Sequence, residues 1–178
     1  MVSMNLTNKT TLHIESFPDT PLIDTSSEIA LDLKDNNNVN FFWCGYDLPW
    51  KDWELGIFKK IIGFNFEKKI SIIEDILRKN KVNILDKIDL SEKKQNYIFN
   101  WANNYNQKKN LKEFLYKENN RKINLGIAVE SSLLSIYKNY NFKKNDKIIK
   151  KSLISSAIIF NRSVEAIKKI KPSIVITF

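Results

Sequence analysis

The sequence predicts an α/β fold: a Rossmann-like open parallel sheet with flanking helices and a helix-rich middle. Three observations carry this. The chain closes on an amphipathic helical stripe, a proline stop and a β-branched apolar run. Near its start a strand, a helix and a second strand follow within about 35 residues, the length of one βαβ unit. Between these regions the apolar residues recur mostly at helical spacing.

The first strand is expected over residues 11–17, with Leu12, Ile14 and Ser16 on one face and His13, Glu15 and Phe17 on the other. Pro18 and Pro21 keep the next loop extended. Thr25, Ser26 or Ser27 can cap a helix, Glu28 stands at capping-box spacing from Thr25, and Ile29, Ala30 and Leu33 form its stripe. After a polar turn cluster, VNFFWC (39–44) reads as the second strand and closes on Gly45. Helices are expected over 55–62 and 67–79, and a short third strand over 81–85.

Ser91 caps a long polar helical region running through Glu118, broken within 103–110. A helix over 124–140 turns Ile127, Val129, Leu133, Leu134, Ile136 and Tyr137 mostly inward. Over 145–171, Ile149, Leu153, Ala157, Phe160, Val164 and Ile167 share one helix face. Pro172 ends that helix, and SIVITF (173–178) has the uninterrupted apolar character of a strand covered on both faces. It should join strands 11–17 and 39–44 in one parallel sheet, its carboxyl end toward the same cleft.

With 178 residues, 43% of them hydrophobic, the chain suits a single α/β domain over 1–178, or one lobe of a larger protein. No apolar run approaches the roughly 20 residues of a membrane helix, and MVSMNLTNKTT lacks the apolar core of a secretory signal. The expected location is the cytoplasm. Cys44 is the lone cysteine and His13 the lone histidine, which rules out an intrachain disulfide and any Cys-based or multi-His metal site. A carboxylate-only metal site stays open but has no motif to support it, and no metal is assigned. Neither GxGxxG nor GxxxxGK[ST] occurs, which argues against a glycine-rich phosphate loop.

Charge is uneven: residues 1–60 carry 5 Lys and Arg against 9 Asp and Glu, and residues 61–178 carry 24 against 11. A basic second part is compatible with peripheral contact between a Lys-rich surface and the inner face of a membrane. Arginine, expected to lead in base and phosphate recognition, is confined to Arg78, Arg121 and Arg162, which argues against nucleic acid.

Several residues could carry chemistry. His13 and Glu15 sit near the carboxyl end of the first strand, where open sheets place their sites, and suit general acid–base work; the plainer reading is a half-buried strand histidine with a hydrogen-bond partner. Asp19 and Asp24 precede a helix start and could accept hydrogen bonds from sugar hydroxyls, or simply cap the helix. Tyr46 and Trp50 could form an aromatic platform for a sugar ring, or seal a helix onto the sheet. Trp43 and Trp53 read as core, and Cys44 as a small core residue. Glu130, Ser131 and Ser132 follow Gly126 near a helix start and could form a modest polar pocket.

Three stretches, FPDTPLIDTSSEIALDLKDNNNVNFFWCGYDLPW, NLGIAVESSLLSIYKN and SLISSAIIFNRSVEAIKKIKPSIVITF, together resemble the N-terminal lobe of GT-B-type glycosyltransferase-like proteins of capsular and surface polysaccharide synthesis. The resemblance implies that this lobe holds the acceptor, a glycan or lipid-linked sugar. The nucleotide-sugar donor is expected only with a second lobe, so no cofactor is assigned here. It also implies that a base or positioning group comes from His13, Glu15, Asp19 or Asp24. Similar proteins continue past the last strand, so the chain is expected to be incomplete as a transferase. The alternatives are a basic module for nucleic acid or anionic membrane, and a small α/β interaction domain whose final strand meets a partner.

Overall fold

The computed structural model describes residues 9–16, 22–45, 66–106, 110–118, 120–137 and 145–177. The expected helix over 55–62 and the sites Asp19, Tyr46 and Trp50 lie outside them, as does Trp53. The protein is α/β, and the described residues form a four-stranded parallel sheet and five helices. The chain divides into two compact units: residues 1–88 with 163–178, and residues 89–162.

The first unit holds the sheet, in the order β3-β2-β1-β6. Strand β1 (Thr10–Glu15) leads into helix α1 (Leu22–Leu33) and strand β2 (Asn38–Trp43); helix α2 (Phe66–Lys79) leads into strand β3 (Asn83–Ile84). Strand β6 (Ile174–Thr177) lies on the far side of β1 and pairs with it in parallel, Leu12 opposite Val175 and Ile14 opposite Thr177. Strand order thus reverses at β1, the position beside which open α/β sheets bind ligands, at the carboxyl ends of their strands.

Even-numbered Leu12, Ile14 and Phe42 are buried on one face of β1 and β2. The other face of β2 presents Val39, Phe41 and Trp43, which pack with Ala30 of α1, Leu77 of α2, and Val82 and Ile84. Asn40 stitches three strands, its amide donating to the Thr11 carbonyl at 3.2 Å and its Oδ1 accepting from Asn83 at 2.7 Å. Lys81, two residues beyond α2, and Lys171, just beyond the long helix α5 (Asp146–Ile170), both lie in the left-handed region with φ of 64° and 50°. Each reverses the chain into the strand that follows.

The closing strand departs from expectation. Ile174 and Ile176 are half-buried and Val175 is 43% exposed, because β6 is an edge strand. An apolar run marks a strand covered on both faces only when neighbours flank it on both sides.

The second unit is built from helix α3 (Glu92–Asn103), a 3₁₀ turn (Leu111–Glu113), the antiparallel hairpin of β4 (Tyr116–Glu118) and β5 (Arg121–Ile123), helix α4 (Leu125–Tyr137) and α5 as far as residue 162. Ser91 caps α3, its hydroxyl accepting from the Lys94 amide. The helical reading of residues 111–118 is corrected here. Glu118 pairs with Arg121 across a two-residue turn, where Asn120 takes φ of 64°, a conformation asparagine tolerates better than most residues.

Two core clusters fill this unit. Ile149 and Leu153 of α5 meet Val129 and Leu133 of α4, with Tyr105, Leu111 and Phe114. Ala157 meets Ile98, Tyr116 and Leu125. Ile127 and Ile167, both expected inward, are 52% and 38% exposed. At Gly126 an added Cβ would stand 1.8 Å from the Leu111 carbonyl oxygen. Only glycine lets α4 start against the 3₁₀ turn, where its amide donates to the Phe114 carbonyl.

Candidate functional site

Period two along β1 sets Thr11, His13 and Glu15 on the face that carries α1, and all three are at most 2% exposed. A polar face on a strand ordinarily meets water, but a parallel sheet is covered on both faces, so these groups are enclosed. Their partner from the helix is Ser26, fully buried, whose hydroxyl lies 3.4 Å from His13 Nδ1 and also bonds the Glu15 carboxylate. His13 stacks on Phe41 of β2, ring centroids 6.1 Å apart.

Ser26 was one of three residues, with Thr25 and Ser27, expected to be able to cap α1. The helix instead begins at Leu22, one turn earlier, and carries Ser26 on its inward side. Asp24 is in the first turn of α1 and pairs with Lys69 of α2 at 3.1 Å, an ion pair between the two helices.

Burial governs the ionisation of the strip. Loss of water disfavours the charged forms, so His13 falls from 6.5 to about 4 and Glu15 rises from 4.5 to about 7, the Ser26 hydroxyl pulling Glu15 partly back. Near neutral pH His13 is uncharged and Glu15 stands at its own midpoint, the condition in which a carboxyl can both take and return a proton.

The polar atoms of this face are incompletely satisfied. Thr11 Oγ1, His13 Nε2, Glu15 Oε1 and Trp43 Nε1 are buried and have no hydrogen-bond partner among the described residues. Such groups are few in folded proteins, and each calls for an explanation. Two of them belong together: Glu15 and Trp43 are paired residues at the carboxyl ends of β1 and β2, on one face of strands about 5 Å apart. One is an acceptor and the other a donor, and a hydroxyl group can serve both at once.

Sequence reasoning selected His13 and Glu15 but missed Thr11, read Ser26 only as one of three candidate caps and assigned Trp43 to the core. Trp43 is indeed 5% exposed, and Cys44 is fully buried with its thiol donating to the Glu15 carbonyl at 3.2 Å. The signal for Thr11 was its alternation with His13 and Glu15. Nothing in the sequence marks Trp43 Nε1 as unpartnered.

Glu130, Ser131 and Ser132 belong to the second unit and do not converge. Glu130 is buried, 3.9 Å from the Lys112 ammonium, whereas both serines are exposed. The helix turns successive residues by about 100°, so serines adjacent to an inward glutamate face elsewhere. Gly126 receives the chain's own carbonyls instead of a ligand. Among the described residues no three His, Cys, Asp or Glu side chains gather as a metal-holding group, and no helix is long and apolar enough to cross a membrane.

Fold and site together define an open parallel α/β protein with an enclosed acid–base strip at its topological switch point. Searches find no matching protein family, no matching curated protein and no matching solved structure.

Proposed function

We propose that the chain is the acceptor-side lobe of a glycosyltransferase-like protein of surface polysaccharide synthesis, acting at the cytoplasmic side of the membrane on a glycan or lipid-linked sugar. The observation that carries this reading is the pair Glu15 and Trp43, a buried acceptor and a buried donor side by side with one open valence each. An acceptor hydroxyl donates to Glu15 Oε1 and accepts from Trp43 Nε1. Glu15 takes the hydroxyl proton as the oxygen bonds to the anomeric carbon and the nucleoside diphosphate leaves with its bonding electrons. The donor nucleotide-sugar belongs to a second lobe. His13 and Ser26 act as positioning residues, setting the Glu15 carboxyl and its proton affinity.

Titration of the ¹⁵N-labelled chain with short oligosaccharides tests this. The Trp43 indole N–H resonance should move on binding, and Glu15→Gln should weaken the effect while Trp43→Phe removes that resonance and lowers affinity. An indole signal indifferent to every sugar, or equal binding by Glu15→Gln, would defeat the reading and leave enclosed water as the partner of both groups.

A further inference from the structure

The second unit carries the whole net charge of the chain: 15 Lys and Arg against 6 Asp and Glu, while the first unit balances at 14 against 14. On that unit an open groove of about 410 Å³ lies along α3 and the β4–β5 hairpin, lined by Tyr97, Lys117, Glu118, Asn120 and Lys122. It continues to the start of α3, at Ser91, Lys93 and Lys94.

One pairing in the hairpin carries a local cost. Lys117 stands directly opposite Lys122. Like charges at facing positions destabilise a ladder, whereas the neighbouring pair, Glu118 with Arg121, is of opposite sign. Lys94 is held by Glu118 at 2.5 Å, but Lys93, Lys117 and Lys122 make no ion pair among the described residues. A local cost kept at a groove is the mark of a site, because a ligand of opposite charge removes the repulsion. Tyr97 is 41% exposed, and its hydroxyl donates to the Lys117 carbonyl at 3.0 Å, which holds the ring at the groove.

We propose that this groove binds a linear anionic polysaccharide, with a carboxylate or phosphate group between Lys117 and Lys122 and a sugar ring against Tyr97. A concave groove does not admit a flat bilayer. The groove lining has ammonium groups but no arginine fork, and Ser91, Asn120 and Glu118 offer the hydroxyl, amide and carboxylate that pair with sugar hydroxyls. The inference deepens the transferase reading, on which it rests only in naming this glycan as the acceptor.

The test is calorimetric binding of oligogalacturonate to the full chain at rising salt, with neutral dextran fragments and oligo(dT) of matched charge as comparisons. Oligogalacturonate should bind, weaken with salt and lose about tenfold or more in the double variant Lys117→Gln/Lys122→Gln, with its salt slope reduced by about 2. Lys79→Gln, in the first unit, should bind as the parent does, and the double variant should keep the parent's circular dichroism. Equal binding by the double variant, or of dextran, overturns the proposal. Tighter binding of oligo(dT) overturns it in favour of nucleic acid. Groove binding with no response at the Trp43 indole leaves this proposal standing and removes the transferase reading.

Discussion

The two units treat their aromatic hydrogen-bonding groups differently. In the second, Trp101 Nε1 donates to the Leu115 carbonyl at 2.9 Å and the Tyr116 hydroxyl accepts from Asn161 at 2.9 Å. Burial pushes the Tyr116 phenol up to about 12, so it stays a neutral member of an aromatic cluster with Trp101, Tyr97 and Phe160. In the first unit the indole of Trp43 and the side chains of Thr11, His13 and Glu15 keep unsatisfied buried atoms. A finished polar network stabilises; an unfinished one costs stability and is retained where something else completes it. The first unit is electrically balanced with open valences along β1 and β2, and the second carries the net charge while Trp101 and Tyr116 keep their hydrogen bonds complete.

The largest way to break this contrast is at the tightest contact of the second unit. Gly126→Ala sets a methyl against the Leu111 carbonyl and should cost about 3 kcal/mol or more, read by urea unfolding. A change within a few tenths of a kcal/mol would mean that α4 is not held by that turn.

The acid–base strip should show itself as two opposed pH dependences. His13 titrates near 4 in the folded chain and near 6.5 unfolded, so between those values the unfolded chain binds more protons and stability rises with pH. Glu15 titrates near 7 folded and 4.5 unfolded, so across that window the folded chain binds more and stability falls with pH. In the parent the slopes oppose from about pH 4.5 to 6.5. Glu15→Gln should uncover the rise and His13→Gln the fall, each on the order of 2 kcal/mol across its window. Slopes of the same sign in both variants would contradict the assignment.

A matched pair of near-isosteric changes sharpens the comparison further. Tyr116→Phe removes a partnered hydroxyl and should cost about 1 kcal/mol, whereas Thr11→Val removes an unpartnered one and should be neutral or stabilising by up to about 1 kcal/mol. Equal costs in chemical denaturation would erase the distinction. The smallest effect belongs to the hairpin: Lys122→Glu turns the facing lysines into an opposite-charge pair and should raise stability by roughly 0.2–1 kcal/mol at low salt, the gain shrinking as salt is added.

Most of the sheet was legible. Alternation along 11–17, the run VNFFWC and the proline stop before SIVITF are local signals, and the strands they mark pair as expected. What escaped was set by tertiary context. The apolar run of β6 looks the same in the interior of a sheet and at its edge. Ser26 before Ile29 and Ala30 resembles a cap, and only the extra turn from Leu22 turns it inward. YKENNRKI has the composition of an exposed helix, and its one strand cue was the two-residue Asn-Asn turn. In the site, the alternation of Thr11, His13 and Glu15 was readable; the pairing of Glu15 with Trp43 required the register between strands 28 positions apart in sequence.

The order of the units along the chain bears on how the protein comes to be folded. Residues 89–162 are inserted within the first unit, between β3 and β6. During synthesis β1, β2 and β3 emerge first, but the strand that covers the other side of β1 follows only after the entire inserted unit. Until then the inner strand β1, with its buried glutamate and histidine, presents an open edge. If the insert folds as it emerges, its compaction shortens the effective loop that β6 must close, lowering the entropic barrier to completing the sheet. A variant that destabilises the insert, such as Gly126→Ala, should therefore slow the arrival of β6 as well as weaken the helices around it.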